Sequence, residues 1–123
     1  MAFEHELAVR VHRKHRDGVT VVCPLRERLF NGVGIVHGGV IASIADEAAW
    51  HAIVHHLGRR APMTTTELKI NYLRPITGKR ILGRASLVRA GRTLCVTRVD
   101  LYDQQRRLAA LAIVTYMLLE EPR

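Results

Sequence analysis

The sequence predicts an α+β domain: one long buried helix wrapped by a curved antiparallel sheet of about six strands. Three observations predict it. Residues 40–58 contain no proline, and Ala42, Ala45, Ala48, Ala49 and Ala52 are strong helix formers. Val40, Ile41, Ile44, Ala45, Ala48, Ala49, Ala52 and Ile53 go most of the way round that helix, the pattern of a buried rather than a surface helix. Around it lie stretches of two-residue alternation punctuated by glycine, proline and aspartate turns.

Taken in order, Leu7, Val9 and Val11 alternate with Ala8, Arg10 and His12, as in a half-buried strand. Asp17-Gly18 is a hairpin turn, and residues 19–25 return from it, interrupted late by Pro24. Residues 26–29 lead into the glycine-rich loop Asn31-Gly32-Val33-Gly34. His37-Gly38-Gly39 is a second flexible point, and the helix then runs to a stop at Gly58. Residues 59–62 form a loop. Residues 64–73 form a strand with Thr66, Leu68, Ile70 and Tyr72 on one face and Glu67, Lys69 and Asn71 on the other. Pro75 ends it and Thr77-Gly78-Lys79 turns the chain. Residues 80–89 form a strand with a bulge expected at Gly83. Ala90-Gly91 is a tight turn, residues 92–102 run back, and residues 103–106 turn again. Residues 108–119 are apolar on both faces, as a central strand requires. The last four strands, joined by short turns, read as one antiparallel meander.

Length and composition fit one domain over residues 1–123. Apolar residues make up 48% of the chain, which is globular rather than disordered. No apolar run is long enough to span a bilayer, and the first ten residues lack the pattern of a signal peptide. Cys23 and Cys95 are isolated and match no metal or redox spacing, so a reducing cytoplasm is the expected location. The net charge is +8, yet aromatics are only 5% and do not interleave with the basic residues, so nucleic acid ranks last among partners. Most of the arginines read as solvated surface, and a few suit the phosphates of an anionic small molecule. His51 and His55 lie one helical turn apart, but no third ligand has suitable spacing, and no metal is expected.

The stretch from Phe30 to Ile53 carries the chemistry. Asp46 and Glu47 lie within the alanine-rich helix, where a carboxylate is costly unless it is paired or has a task. Glu47 reads as the partner of an arginine, and Asp46 as a general base or nucleophile. Gly38 and Gly39 open the helix, where the first N–H groups have no intrahelical partner and the dipole is positive. Without side chains they let a carbonyl approach the backbone, which makes a natural oxyanion site. His37 and Asp46 are nine positions apart on roughly one helix, hence about 13–14 Å apart along its axis. If both act on one bond, two antiparallel copies of the helix must meet across a two-fold axis, which creates two composite sites.

The pattern Asn31-x-x-Gly34-x-x-His37-Gly38-Gly39, followed by Asp46 in the helix, resembles the hotdog-fold acyl-CoA thioesterases. These belong to the 4-hydroxybenzoyl-CoA thioesterase superfamily, and the branch is the one typified by phenylacetate-pathway thioesterases. TELKINYLRP (residues 66–75), GRT (91–93) and ALAIVTYML (110–118) are also similar to that family, so the resemblance covers nearly the whole chain. It implies a hotdog fold, a homodimer often paired into a homotetramer, and hydrolysis of an acyl-CoA or similar thioester. It implies no cofactor beyond the coenzyme A of the substrate. By the same resemblance Gly38 supplies the amide that polarises the carbonyl, with Gly39 as its support. His37 and Asn31 position carbonyl and loop, and Asp46 of the second chain attacks or activates water. Thr65 matches a hydroxyl that holds the water, with Thr64 and Thr66 as its neighbours and strand propensity as the plain alternative. Gly91-Arg92 is similar to the family's glycine–basic pair, and Arg74, Arg89 and Arg92 are the candidates for coenzyme A phosphates.

Trp50, the single tryptophan, stands one helical turn beyond Asp46, where relatives more often carry a small residue. It reads either as a core residue or as a wall limiting the depth of an acyl pocket. Two other function classes fit the same residues less well. One is a dehydratase or hydratase acting on acyl thioesters. The other is a non-catalytic acyl-CoA-binding module, which has no need of a carboxylate at Asp46.

Overall fold

The computed structural model describes residues 7–30 and 32–119. Its elements are strands β1 (Arg10–His15) and β2 (Gly18–Pro24), a short 3-10 turn (Glu27–Leu29), helix α1 (Gly38–Leu57), and strands β3 (Met63–Tyr72), β4 (Arg80–Ala90), β5 (Leu94–Tyr102) and β6 (Leu108–Leu118). All six strands form one antiparallel sheet in the order β1-β2-β4-β5-β6-β3. The helix lies against the sheet, chiefly on β4 and β2.

The helix starts two residues before the expected position, because His37 caps it and its carbonyl accepts from the Val40 and Ile41 amides at 3.0 and 3.1 Å. It ends at Gly58, whose φ of 72° is the left-handed conformation that glycine adopts at least cost. Ile41, Ile44, Ala45, Ala48, Ala49, Ala52 and Ile53 are buried against the sheet. Small residues on both sides bring the layers close. A methyl group on Gly83 would lie 3.8 Å from the Ala48 methyl, and only 3.0 and 3.1 Å from the side chains of Val21 and Leu101. Crowding therefore accounts for Gly83, and the expected bulge is elsewhere in β4, between Leu87 and Arg89.

Two further expectations are corrected. The helix is buried most of the way round, as expected, and Ala42, Ser43, Asp46, Glu47, Trp50 and Val54 form the stripe that the sheet leaves half-buried. The long strands are not one meander. β4, β5 and β6 are, but β3 pairs with β6 at the far edge, so the chain must cross the sheet end from β3 to β4. Residues 73–79 make that crossing. Leu73 and Arg74 amides donate to the Ala109 carbonyl, Ile76 is buried, and its carbonyl accepts from Val36 at 3.0 Å. The first strand is also later and more exposed than expected. Ala8 takes a left-handed φ of 51°, Leu7 is buried, and the Cys23 thiol donates to the Leu7 carbonyl at 2.7 Å, so pairing begins only at Arg10.

The β3 register carries the correction that matters most. Thr65 pairs with Tyr116 and Glu67 with Thr115, leaving Thr66 as an extra residue. Such a bulge shifts the phase of the alternation. Met63 and Thr65 therefore share the half-buried side with Leu68 and Ile70, while Thr66 is exposed and donates to the Thr115 carbonyl at 3.3 Å.

At the β2–β4 seam, Gly18 has no room for a side chain, since an added Cβ would stand 1.9 Å from the Ala85 carbonyl oxygen. Backbone cannot yield as a rotamer does. Gly18→Ala is expected to destabilise the fold by about 2–3 kcal/mol, read by denaturant unfolding. Gly32→Ala, with nothing within 4 Å of the added atom, is the control expected to be neutral.

Candidate active site

Two clusters sit on α1. The first is its N-terminus. The His37 amide donates to the Leu29 carbonyl at 3.2 Å, and Phe30 bridges to Val36, so the loop ends are pinned together below the helix. Asn31 lies outside the described residues. His37, Gly38 and Gly39 are exposed, and nothing stands within 4 Å of an added Cβ on Gly39. The crossing segment runs past this helix end. Just before it, at the end of β3, Tyr72 reaches the glycine pair, where its phenol donates to the Gly38 carbonyl at 2.6 Å. The same segment lines a cleft of about 460 Å³ with Val36, Gly38, Ile41, Tyr72, Arg74 and Ile76 among its walls. Arg74 is thus the one coenzyme A candidate at this cleft.

The second cluster surrounds Asp46, on the half-covered stripe. Thr65 Oγ1 donates to Asp46 Oδ1 at 2.7 Å, so the phase shift in β3 selects Thr65 from the three adjacent threonines. Tyr116, from β6, donates through its phenol to the Asp46 backbone carbonyl at 3.1 Å. Asp46 is therefore anchored from two strands, one bond to its carboxylate and one to its backbone. Burial pushes the Tyr116 phenol well above its ordinary range, the Asp46 carboxylate adding to the effect and an interaction with Thr65 opposing it.

The remaining candidates fall elsewhere. Trp50 is half-buried on the core, edge-on to His51 at 5.0 Å, with the Arg60 guanidinium 5.4 Å over its ring. It does not line the cleft at Gly38. Arg89 and Arg92 are exposed around the β4–β5 turn. His51 and His55 border a groove of about 390 Å³ with Lys14, Arg59 and Arg60, and His55 Nε2 lies 2.9 Å from the His15 carbonyl. Among the described residues, no three His, Cys, Asp or Glu side chains converge as a metal site would need. Both cysteines are free and buried; burial and the Glu47 charge push the Cys23 thiol up to about 11, away from nucleophilic use. No helix among the described residues is long and apolar enough to cross a membrane.

Sequence reasoning missed the two tyrosines. Tyr116 carried a signal, since a phenol on an otherwise apolar interior strand must find a partner. Because folding holds its phenol neutral, Tyr116 contributes stability that is full below about pH 10 and falls as pH rises above it, where the unfolded chain ionises. Tyr116→Phe is expected to cost about 1 kcal/mol near neutrality and to flatten the alkaline fall in Tm. Melts between about pH 8 and about pH 11 check this, and an equal alkaline loss in both proteins contradicts it.

Comparison with known proteins agrees with this architecture. The profile of the Thioesterase superfamily matches residues 33–110, from the loop before α1 into β6. YigI of Escherichia coli strain K12, a medium/long-chain acyl-CoA thioesterase, is 38% identical over 68% of this chain and 63% of its own length. The chain thus spans less than two thirds of that curated relative. A thioesterase of Haemophilus influenzae superposes with a TM-score of 0.86 at 22% identity, covering 97% of this chain and 82% of that one. A mutant of the phenylacetic acid degradation protein PaaI from Thermus thermophilus superposes with a TM-score of 0.82 at 24% identity, covering 97% and 100%. One long helix on a curved six-stranded antiparallel sheet is the hotdog fold these structures share. With more than half of its length matched by the family profile, the chain belongs to the thioesterase superfamily.

Proposed function

We propose that this protein hydrolyses acyl-CoA or a similar acyl thioester to the free acid and thiol, at a site shared between two copies of the chain. The observation that carries the reading is Asp46. Its carboxylate is half-buried, held by Thr65 at 2.7 Å, on a helix stripe that the chain's own sheet leaves half-covered. An exposed glycine pair opens the same helix, and the rise of a helix keeps it about 10–12 Å from Asp46 along the axis. A second copy packed antiparallel on that stripe puts one chain's glycines at the other's carboxylate. The curated relative YigI, named for medium- and long-chain acyl-CoA, supports the substrate class.

In this reading the Gly38 amide polarises the thioester carbonyl, while His37 and the Asn31 loop place it. Thr65 occupies Oδ1 of Asp46, which leaves Oδ2 to act. Oδ2 takes a proton from water, whose oxygen attacks the carbonyl carbon. Alternatively it attacks that carbon itself and forms an anhydride that water then cleaves. Either way the C–S bond breaks, and the thiolate leaves and is protonated. No cofactor is needed beyond the coenzyme A of the substrate. Arg74 at the cleft, with Arg89 and Arg92, meets its phosphates, and Trp50 walls the acyl pocket. The two free buried cysteines suit a cytoplasmic home. Dimers pairing into tetramers complete the assembly.

Asp46→Asn is expected to lower kcat by about 10²-fold or more with KM little changed. The assay is hydrolysis of acyl-CoAs of graded chain length, which also reads the pocket depth assigned to Trp50. A folded Asp46→Asn protein with near-full kcat sinks the mechanism, and hydration of an enoyl thioester without hydrolysis sinks the activity. The shared site has its own test. Inactive His37→Ala and Asp46→Asn subunits, once exchanged, are expected to regain activity, because each mixed dimer holds one intact site. Confirmed exchange with no recovery contradicts it.

A further inference from the structure

The glycine pair at the head of α1 offers two amides, and different donors hold their two peptide planes. The His37 carbonyl accepts from Val40 and Ile41 at 3.0 and 3.1 Å. A peptide unit is planar, so these bonds fix the direction of the Gly38 N–H in the same unit. The Gly38 carbonyl accepts from the Tyr72 phenol at 2.6 Å. By the same planarity, this bond reinforces the direction of the Gly39 N–H, in a peptide unit that already lies in the first helical turn. Val40 is the first residue whose amide bonds back into the helix turn, so both glycine amides precede the helix's own hydrogen bonds.

Tyr72 is built to hold this plane still. Its backbone pairs with Ala110 of β6, and the next two amides both donate to the Ala109 carbonyl. Its ring lies so close to Gly38 that an added Cβ would meet the ring carbon Cζ and the hydroxyl at 3.2 Å. Gly39, by contrast, faces open space. We propose that Tyr72 is a positioning residue that aims the Gly39 amide, as a second donor beside Gly38, at the carbonyl oxygen of the thioester. As the carbon becomes tetrahedral, negative charge grows on that oxygen, and two fixed amides share it without reorganising. The phenol also strengthens the donor it aims, because an amide whose carbonyl accepts a hydrogen bond is polarised toward giving one. Tyr72 lies outside the reacting atoms and acts only through the peptide plane.

This inference rests on the thioesterase reading, and the experiment separates the two. Tyr72→Phe keeps the ring against Gly38 and removes only the hydroxyl. It is expected to lower kcat for acyl-CoA about 10-fold, the scale of one orienting hydrogen bond. KM, the affinity for a non-hydrolysable thioether analogue of the acyl-CoA, and Tm are expected to stay at wild-type values, since the loss falls on the transition state. An unchanged kcat overturns the proposal. So does a fall in kcat accompanied by weaker analogue binding and a lower Tm, which marks a packing role. Asp46→Asn, assayed alongside, shows which idea has failed. If it abolishes hydrolysis while Tyr72→Phe equals wild type, the thioesterase reading stands and Tyr72 has no part in it. If wild-type protein hydrolyses no acyl-CoA, both fall together.

Discussion

A helix advances about 1.5 Å per residue and does not bend to suit its chemistry. That constraint governs this molecule. The glycine pair and Asp46 are fixed points on one rod, and no loop movement within a chain brings them together. The rod in turn is held against the sheet by a stripe of alanines and isoleucines, with Ala48 close over Gly83. Small residues let the layers approach, and the close approach leaves the helix little freedom to slide or roll. Whatever α1 presents on its uncovered side is therefore presented in a fixed frame.

The sheet contributes by what it delivers to each end of that frame. β3 and β6 place Thr65 and Tyr116 at Asp46, one on the carboxylate and one on the backbone. The last residue of β3 places the Tyr72 phenol at the glycines. One strand thus serves both clusters, its start at the carboxylate and its end at the helix cap. The β3–β6 pairing at the sheet edge makes this possible, because β3 runs alongside β6 for its whole length.

Much of this was legible in the sequence. The helix, its stop at Gly58, the Asp17-Gly18 hairpin and the later strands follow from periodicity and turn chemistry, which are local. Strand order was not, because the choice of β6 rather than β4 as the partner of β3 depends on contacts far apart in the chain. The bulges in β3 and β4 were missed or misplaced for a related reason: alternation counts residues in twos and cannot see where one is skipped. Alternation put Thr66 on the face of Leu68 and only the family resemblance singled out Thr65; the extra residue at Thr66 is what gives Thr65 the inward side. Tyr72 and Tyr116 find their partners 34 and 70 positions away, beyond the reach of any spacing rule. The buried face of the helix, from Ile41 to Ile53, was likewise legible from its apolar periodicity.

The bulge in β3 has an evolutionary side. Upstream of Thr66 the strand runs in one phase, and downstream in the opposite phase. The two halves are thus joined as if by a phase inverter. Losing that single residue would leave the chain continuous and still able to pair, yet it would turn either the Thr65 half or the Leu68–Tyr72 half inside out. In this strand, length variation by one residue is an inversion rather than a local change. The fold therefore constrains the presence of residue 66, which faces outward, more than its identity.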